Sequence, residues 1–291
     1  MTLEALQKKL KIMTDLKEVV EMMKMLSSVQ LGTYEKMTQK LAGYQRNLHL
    51  ALQAVAPYLP PESFPKMDME SGQTLAIVLG TDTGLVGGFN KEVAAFVLAN
   101  APAAKVSYLL VGRRLTPYFP KPLAVYPSAG AMKEFSIFLS EIVHHMETFV
   151  QTKGQKVVVF YRRLADKGQE KLVMRELLPF PKNVREEALK TPWGRGVPLV
   201  PEAQKVWMHL RGEYLKMRLL KALVASQVAE HHQRMLAMQQ AEKNITEELE
   251  NVNLLYQQER QNVITEELID IVSGAEVLKK KMQSPLDPVC L

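Results

Sequence analysis

With 291 residues, 47% of them apolar and 23% charged, the chain can bury a core and falls outside the disordered class. Its formal charge of +6 is basic over residues 1–200 and slightly acidic beyond. No lysine–arginine cluster is interleaved with aromatics, which excludes a nucleic-acid surface and favours an acidic protein partner. The single cysteine, Cys290, permits neither an intrachain disulfide nor a thiolate metal cluster, fits a reducing compartment and stands too near the end for prenylation. No apolar run approaches the roughly 18 residues of a membrane span. The N-terminus opens on a charged helical pattern without a signal or transit segment, the expectation for a protein used where it is made, as in a bacterial cytoplasm.

Residues 2–56 read as one helix. Leu3, Leu6, Leu10, Met13, Leu16, Val19, Val20, Met23, Leu26 and Val29 recur at three- and four-residue steps, and Leu41, Tyr44, Leu48, Leu52 and Val55 continue the stripe. Gly32 and Gly43 weaken its middle, and Pro57 with Pro60-Pro61 ends it. A change of period follows. Thr74–Leu79 is a short apolar run closed by Gly80 and reads as a buried strand. Lys91–Asn100 reads as a helix, Lys105–Val111 and Lys156–Tyr161 as strands with a helix near 131–153 between them, and Leu172–Leu178 as a further strand. This alternation predicts a mostly parallel, Rossmann-like α/β domain over 70–200. The proline-rich stretch 179–201 reads as a loop.

The C-terminal helix is expected over 204–282, with 283–291 as a tail. Glu213–Ser273 contains neither glycine nor proline, and its apolar stripe follows a near-heptad spacing. At 1.5 Å per residue that stretch alone would run roughly 90 Å. Such a helix cannot bury its stripe on one ordinary domain, so it must pair with the N-terminal helix over 1–57. The expected architecture is thus α/β plus a long antiparallel coiled coil, with part of the longer helix projecting beyond it. Met22, Met23, Met25, His231, Met235, Met238 and Ala241 make the seam soft, either as ordinary core or as a surface for a partner of more than one shape.

The loop Gly80–Asn90 lies between a strand and a helix, where glycine loops bind phosphate. It lacks G-x-G-x-x-G, has Gly88-Phe89-Asn90 where a P-loop needs Lys followed by Ser or Thr, and carries Asp82, which would repel a phosphate. It reads instead as a tight turn that packs the domain on the helices. Two rival readings are a nucleotide-using enzyme and a helical adaptor. The pairs His144-His145 and His231-His232 point about 100° apart on a helix and make poor metal ligands. No catalytic constellation, metal site or cofactor site is expected.

The run Tyr256-Gln257-x-x-Arg260-Gln261-x-x-Ile264-Thr265-x-Glu267-Leu268-x-Asp270-Ile271-Val272-x-Gly274-Ala275 resembles the signature of the F-type ATP synthase γ-subunit family, with Gln257 for Asn and Asp270 for Glu. Upstream, Glu230, Arg234, Ala237, Met238, Ala241 and Asn244 match as well, and Gly84-Leu-x-Gly87-Gly88-Phe89-Asn90 is similar to the family's central motif. Thr83 and Val86 stand there for Arg and Cys. On the N-terminal helix Asp15-Leu16, Val20 and Gln30 also depart from the pattern, in the manner of the divergent "alternate" bacterial branch. The resemblance implies a central-stalk rotor with no active site of its own. It would be present in one copy, peripheral to the cytoplasmic side of a bacterial membrane. Its implied partners are the α and β subunits of the catalytic hexamer, the ε subunit and the membrane c-ring. It further implies that Arg260, Gln261, Thr265 and Glu267 contact the catalytic subunits, and that Met23 and Lys24 pass their acidic levers.

Overall fold

A computed structural model describes residues 2–60, 73–101, 106–128, 134–152, 154–165, 168–178 and 202–283. The stretch 179–201 and residues 284–291 of the expected tail lie outside them. The elements are helix α1 (Leu3–Val55), strand β1 (Gln73–Leu79), helix α2 (Phe89–Asn100), strand β2 (Val106–Val111), a 3-10 segment (Arg113–Tyr118), strand β3 (Ala124–Tyr126), helix α3 (Glu134–Thr152), strands β4 (Gly154–Leu164) and β5 (Glu170–Leu178), and helix α4 (Ala203–Gln283). The chain divides into two compact units, Met25–Ala237, and Met1–Lys24 with Met238–Leu291.

In the larger unit the sheet order is β3-β2-β1-β4-β5. β1 pairs in parallel with β2 and β4, β2 in parallel with β3, and β5 closes the edge antiparallel to β4. The strand alternation sorts the core. Leu75, Ile77, Leu79, Leu109, Val157 and Val159 face a cluster shared with α3, with Tyr34 and Leu41 of α1, and with Leu215, Leu219 and Leu223 of α4. Their neighbours Ala76, Val78, Leu110, Val158 and Phe160 face α2 and the 3-10 segment. A third cluster joins Leu52, Val55 and Leu59 to Trp207 where α1 ends and α4 begins. The arrangement is the expected Rossmann-like domain between two long helices.

Each long helix has a buried seam with a period of seven. On α1 it is Leu6, Met13, Val20, Ser27, Tyr34, Leu41, Leu48 and Val55, all buried or half-buried. On α4 it is Leu210, Met217, Val224, His231, Met238, Ile245 and Val252. A seven-residue repeat keeps one edge of a helix facing one partner, which is how long helices pair. In the smaller unit Lys9 Nζ bonds Glu248 Oε1 at 2.7 Å and Lys24 pairs with Glu242, so the helices run antiparallel there. In the larger unit Lys221 Nζ donates to Gln45 Oε1 at 2.8 Å and Tyr44 Oη to Glu213 at 3.0 Å, again antiparallel.

The apolar stripe read from the sequence needs correction on both helices. Leu16, Val19, Leu26 and Val29 are exposed, and the seam passes through Ser27 and Tyr34 instead. A stripe drawn only through apolar residues drifts off the seven-residue line, whereas the partner helix holds that line whatever residue falls on it. On α4, Leu255, Ile271 and Leu278 are exposed because pairing with α1 nears its end at Lys9 and Glu248, and α1 begins at Leu3.

Candidate functional site

The turn after β1 is built by its own polar groups. Asn90 Oδ1 accepts from Thr81 N at 3.0 Å and its Nδ2 donates to Thr81 Oγ1 at 2.8 Å, tying both ends of the loop together. Phe89, fully buried, anchors α2 in the core. Gly87 has φ +57°, a conformation only glycine adopts without strain. Leu85 also sits at φ +62°, although it is a bulky residue and 57% exposed. Gly112, at the end of β2, has φ +111°, and a Cβ there would stand 2.7 Å from the Gly80 carbonyl carbon. Gly84, Gly87 and Gly88 lie in this turn, and Phe89 and Asn90 open α2 directly after it.

Asp82 decides what this turn does not do. Its two carboxylate oxygens accept from Arg113 N at 2.5 Å and Ser128 N at 2.8 Å, and Arg114 Nε donates to its carbonyl at 3.2 Å. These are the backbone N–H groups beyond β2 and β3, where a phosphate on such a sheet would look for donors. The chain's own carboxylate takes them.

The turn is instead clamped onto α4. Arg234 donates to Glu230 Oε1 at 2.6 Å, to Thr83 Oγ1 and, at 3.4 Å, to the Gly84 carbonyl. Thr83 Oγ1 and Gln227 Nε2 complete the Glu230 carboxylate, each at 3.2 Å. Burial pushes Glu230 above the usual carboxylate range, against the opposing pull of Arg234, Thr83 and Gln227. His231 stacks on Tyr34 of α1 with ring centroids 5.5 Å apart, and Arg234 Nη1 lies 3.2 Å from its Nδ1. Burial, with the Arg234 charge, pushes this imidazole down to about 4, so it is neutral at pH 7.

A second network lies on β4. Arg162, only 4% exposed, forks to Glu92 Oε2 at 2.5 Å and Glu170 Oε2 at 2.8 Å, and its guanidinium lies 4.7 Å from the Phe89 ring centroid. His232 Nδ1 stands 3.0 Å from Glu170 Oε1. With its amide turned to donate, Gln233 reaches both Glu170 oxygens, at 3.0 and 3.3 Å. These side chains border an open cavity of about 440 Å³, in which the one guanidinium is held between two carboxylates. Among the described residues, no group of three or more His, Cys, Asp or Glu could hold a metal ion.

The remaining sequence-derived positions stand on the helices of the smaller unit. Met23 is half-buried and Lys24 is engaged by Glu242. Arg260, Gln261, Thr265 and Glu267 are exposed on α4, with Thr265 Oγ1 donating to the Gln261 carbonyl at 2.8 Å. Sequence reasoning missed Arg162, Glu170 and Gln227 as structural anchors. The i,i+4 spacing of Glu230 and Arg234 was the available signal for the first clamp. Arg162 gave no comparable signal, since its partners lie on other elements.

A family model described as ATP synthase matches residues 2–278. An ATP synthase gamma chain from Sulfurihydrogenibium is 25% identical over 285 residues, covering 94% of this chain and 97% of that protein. One from Geobacter metallireducens is 26% identical over 290 residues, covering 96% and 99%. Among solved structures, a chain of the Euglena gracilis mitochondrial ATP synthase OSCP/F1/c-ring assembly superposes with a TM-score of 0.65 at 15% identity, covering 99% of this chain and 98% of that one. A chain of the Tetrahymena thermophila central stalk/c-ring gives 0.55 at 18% identity, covering 77% and 99%. At those identities the likeness is one of fold. The family match spans nearly the whole sequence, and the chain belongs to the γ-subunit family of the ATP synthase central stalk.

Proposed function

We propose that this chain is the rotor shaft of a membrane-coupled ATP synthase, carrying torque between an ion-driven c-ring and the catalytic hexamer of α and β subunits. On this reading it also bears on ATPase activity and ion flow without an active site of its own, is present in one copy, and meets the ε subunit and c-ring at its foot. It would then lie peripheral to the cytoplasmic face of a bacterial membrane; among the described residues no helix is long and apolar enough to cross one.

The observation that carries the proposal is the far stretch of α4. Ile264, Leu268, Ile271, Val272 and Leu278 are exposed on a helix that continues to Gln283. An unpaired helix of that kind is stable only when surrounding protein covers it. The matched run Arg260–Glu267 lies on the same stretch, so the residues that resemble partner contacts coincide with a surface left exposed among the described residues. The paired part of the helices supplies stiffness, and the uneven mixture of apolar and charged side chains presents different faces to surrounding subunits as the helix turns. Lys24 and Lys9 meet acids at partly exposed positions, the weak and exchangeable kind of contact that a rotating surface tolerates.

The test is reconstitution. Added to a γ-depleted α/β assembly on c-ring membranes, the full chain is expected to restore ATP hydrolysis coupled to ion movement. Failure to join the assembly overturns the proposal, and joining without coupling assigns the chain to an adaptor role.

A further inference from the structure

A small cavity of about 140 Å³ lies where β4 and β5 meet α1 and α4, and its charge is not balanced. Arg175 of β5 and Arg218 and Lys221 of α4 all border it, while the rest of its wall is uncharged, including Gln45, Tyr161 and Tyr214. Among the described residues none of the three cations forms an ion pair, whereas Arg162 beside the larger cavity is paired with two carboxylates. Acids on the same elements are engaged elsewhere: Glu213 with Lys216 and Tyr44, and Glu176 with Lys156. Arg218 lies over the Tyr214 ring at 5.5 Å. Its Nη1 is buried without a hydrogen-bond partner, as are Arg162 Nε and Arg163 Nε, but unlike Arg162 it has no carboxylate beside it among the described ion pairs. Lys221 has one neutral acceptor, Gln45. Burial, and then the charge of Arg175, push its ammonium below the ordinary lysine range, as expected where no negative charge compensates.

A buried guanidinium donor without an acceptor, beside two like charges, is costly in a protein interior. It is the arrangement that an anion would complete. We propose that this cavity is an oxyanion site sized for one phosphate group, which bridges β5 to α4 at the place where Gln45 brings in α1. Arg218 supplies the planar donor pair that matches two phosphate oxygens, and Lys221 and Arg175 supply point charge. At about 30 Å³ per water, the volume holds only a handful of solvent molecules, so a base and sugar would have to remain outside. Inorganic phosphate and the terminal phosphate of a nucleotide share this chemistry.

The experiment is thermal unfolding of the isolated full chain at fixed ionic strength, with chloride replaced stepwise by inorganic phosphate, and in a second series by ATP without divalent metal. The expected result is a saturable rise of a few degrees in Tm with phosphate that chloride does not reproduce. A rise with phosphate alone assigns the free ion, and an equal or larger rise with ATP assigns the terminal phosphate. Arg218→Gln is expected to abolish the rise. Arg175→Gln, at an exposed strand position, keeps the fold even if the first variant does not. In chloride it is expected to melt at or above the wild type, because one of three repelling charges is gone, while its phosphate-dependent rise falls several-fold. A rise that is the same in chloride, or undiminished in Arg175→Gln and Lys221→Gln, overturns the proposal. None of these measurements depends on assembly with other subunits.

Discussion

Glu230 and Arg234 sit one turn apart on α4, both almost wholly inside the protein, and hold the Thr83–Gly84 turn between them. Removing one partner leaves the other charge buried alone, so Arg234→Met is expected to cost about 3–5 kcal/mol in chemical denaturation. The double variant Glu230→Gln with Arg234→Met is expected to recover part of that loss, because the orphaned carboxylate goes too. His231 responds to the same environment. Its folded value of about 4 lies below that of the unfolded chain, near 6.5, so the unfolded state takes up a proton first. Its contribution is therefore lost as pH falls from about 6.5 toward 4, and is constant above that window. Glu230 acts with the opposite sign, since burial raises it, so the readout is the difference between wild type and His231→Gln. That variant is expected to flatten the acid-side fall in Tm. An unchanged slope would show that the Tyr34 stack and Arg234 do not hold His231 neutral.

At the level of elements, Asp82 stitches the turn after β1 to the segments following β2 and β3. Asp82→Ala removes two hydrogen bonds from backbone N–H groups to a charged acceptor, and about 2–3 kcal/mol of stability should go with them in a urea titration. Without the carboxylate those donors are also free, and weak phosphate binding at this turn becomes detectable in the variant only. The major elements were legible because they rest on local signals. The glycine- and proline-free run to Ser273 announced α4, and the apolar runs of β1, β2 and β4 announced the sheet. β3 was not legible: a strand of three residues, Ala124–Tyr126, carries no period, and its place is set by pairing with β2. β4 runs on to Leu164 through Arg162 and Arg163, which look like the start of a loop. Only the tertiary partners Glu92 and Glu170 make an arginine acceptable inside that strand. Within the Gly80–Asn90 loop the strained position is Leu85, a bulky residue at positive φ, which backbone geometry alone discloses.

Across the whole molecule, stability and partner contact fall on different residues, and that separation is measurable. The seam residues from Leu6 to Val55 and from Leu210 to Val252 are buried or half-buried within the chain. Ile271, 68% exposed, and Arg260 contribute to no core cluster and to no ion pair among the described residues. Exposed substitutions away from packing and caps leave a fold almost untouched. Arg260→Ala and Ile271→Ser are therefore expected to leave the melting temperature and helical circular dichroism of the isolated chain unchanged. If surrounding catalytic subunits cover this stretch, the same two changes lower coupled hydrolysis in the reconstituted assembly, Ile271→Ser by weakening association and Arg260→Ala by reducing ion movement per ATP. A seam change such as Leu41→Ala reverses the pattern, since it empties a buried site in the core shared by α1, α4 and the sheet and should cost about 2–5 kcal/mol. Loss of helix content in Arg260→Ala, or full coupling in both surface variants, would mean that this stretch of α4 is held by its own chain and not by partners.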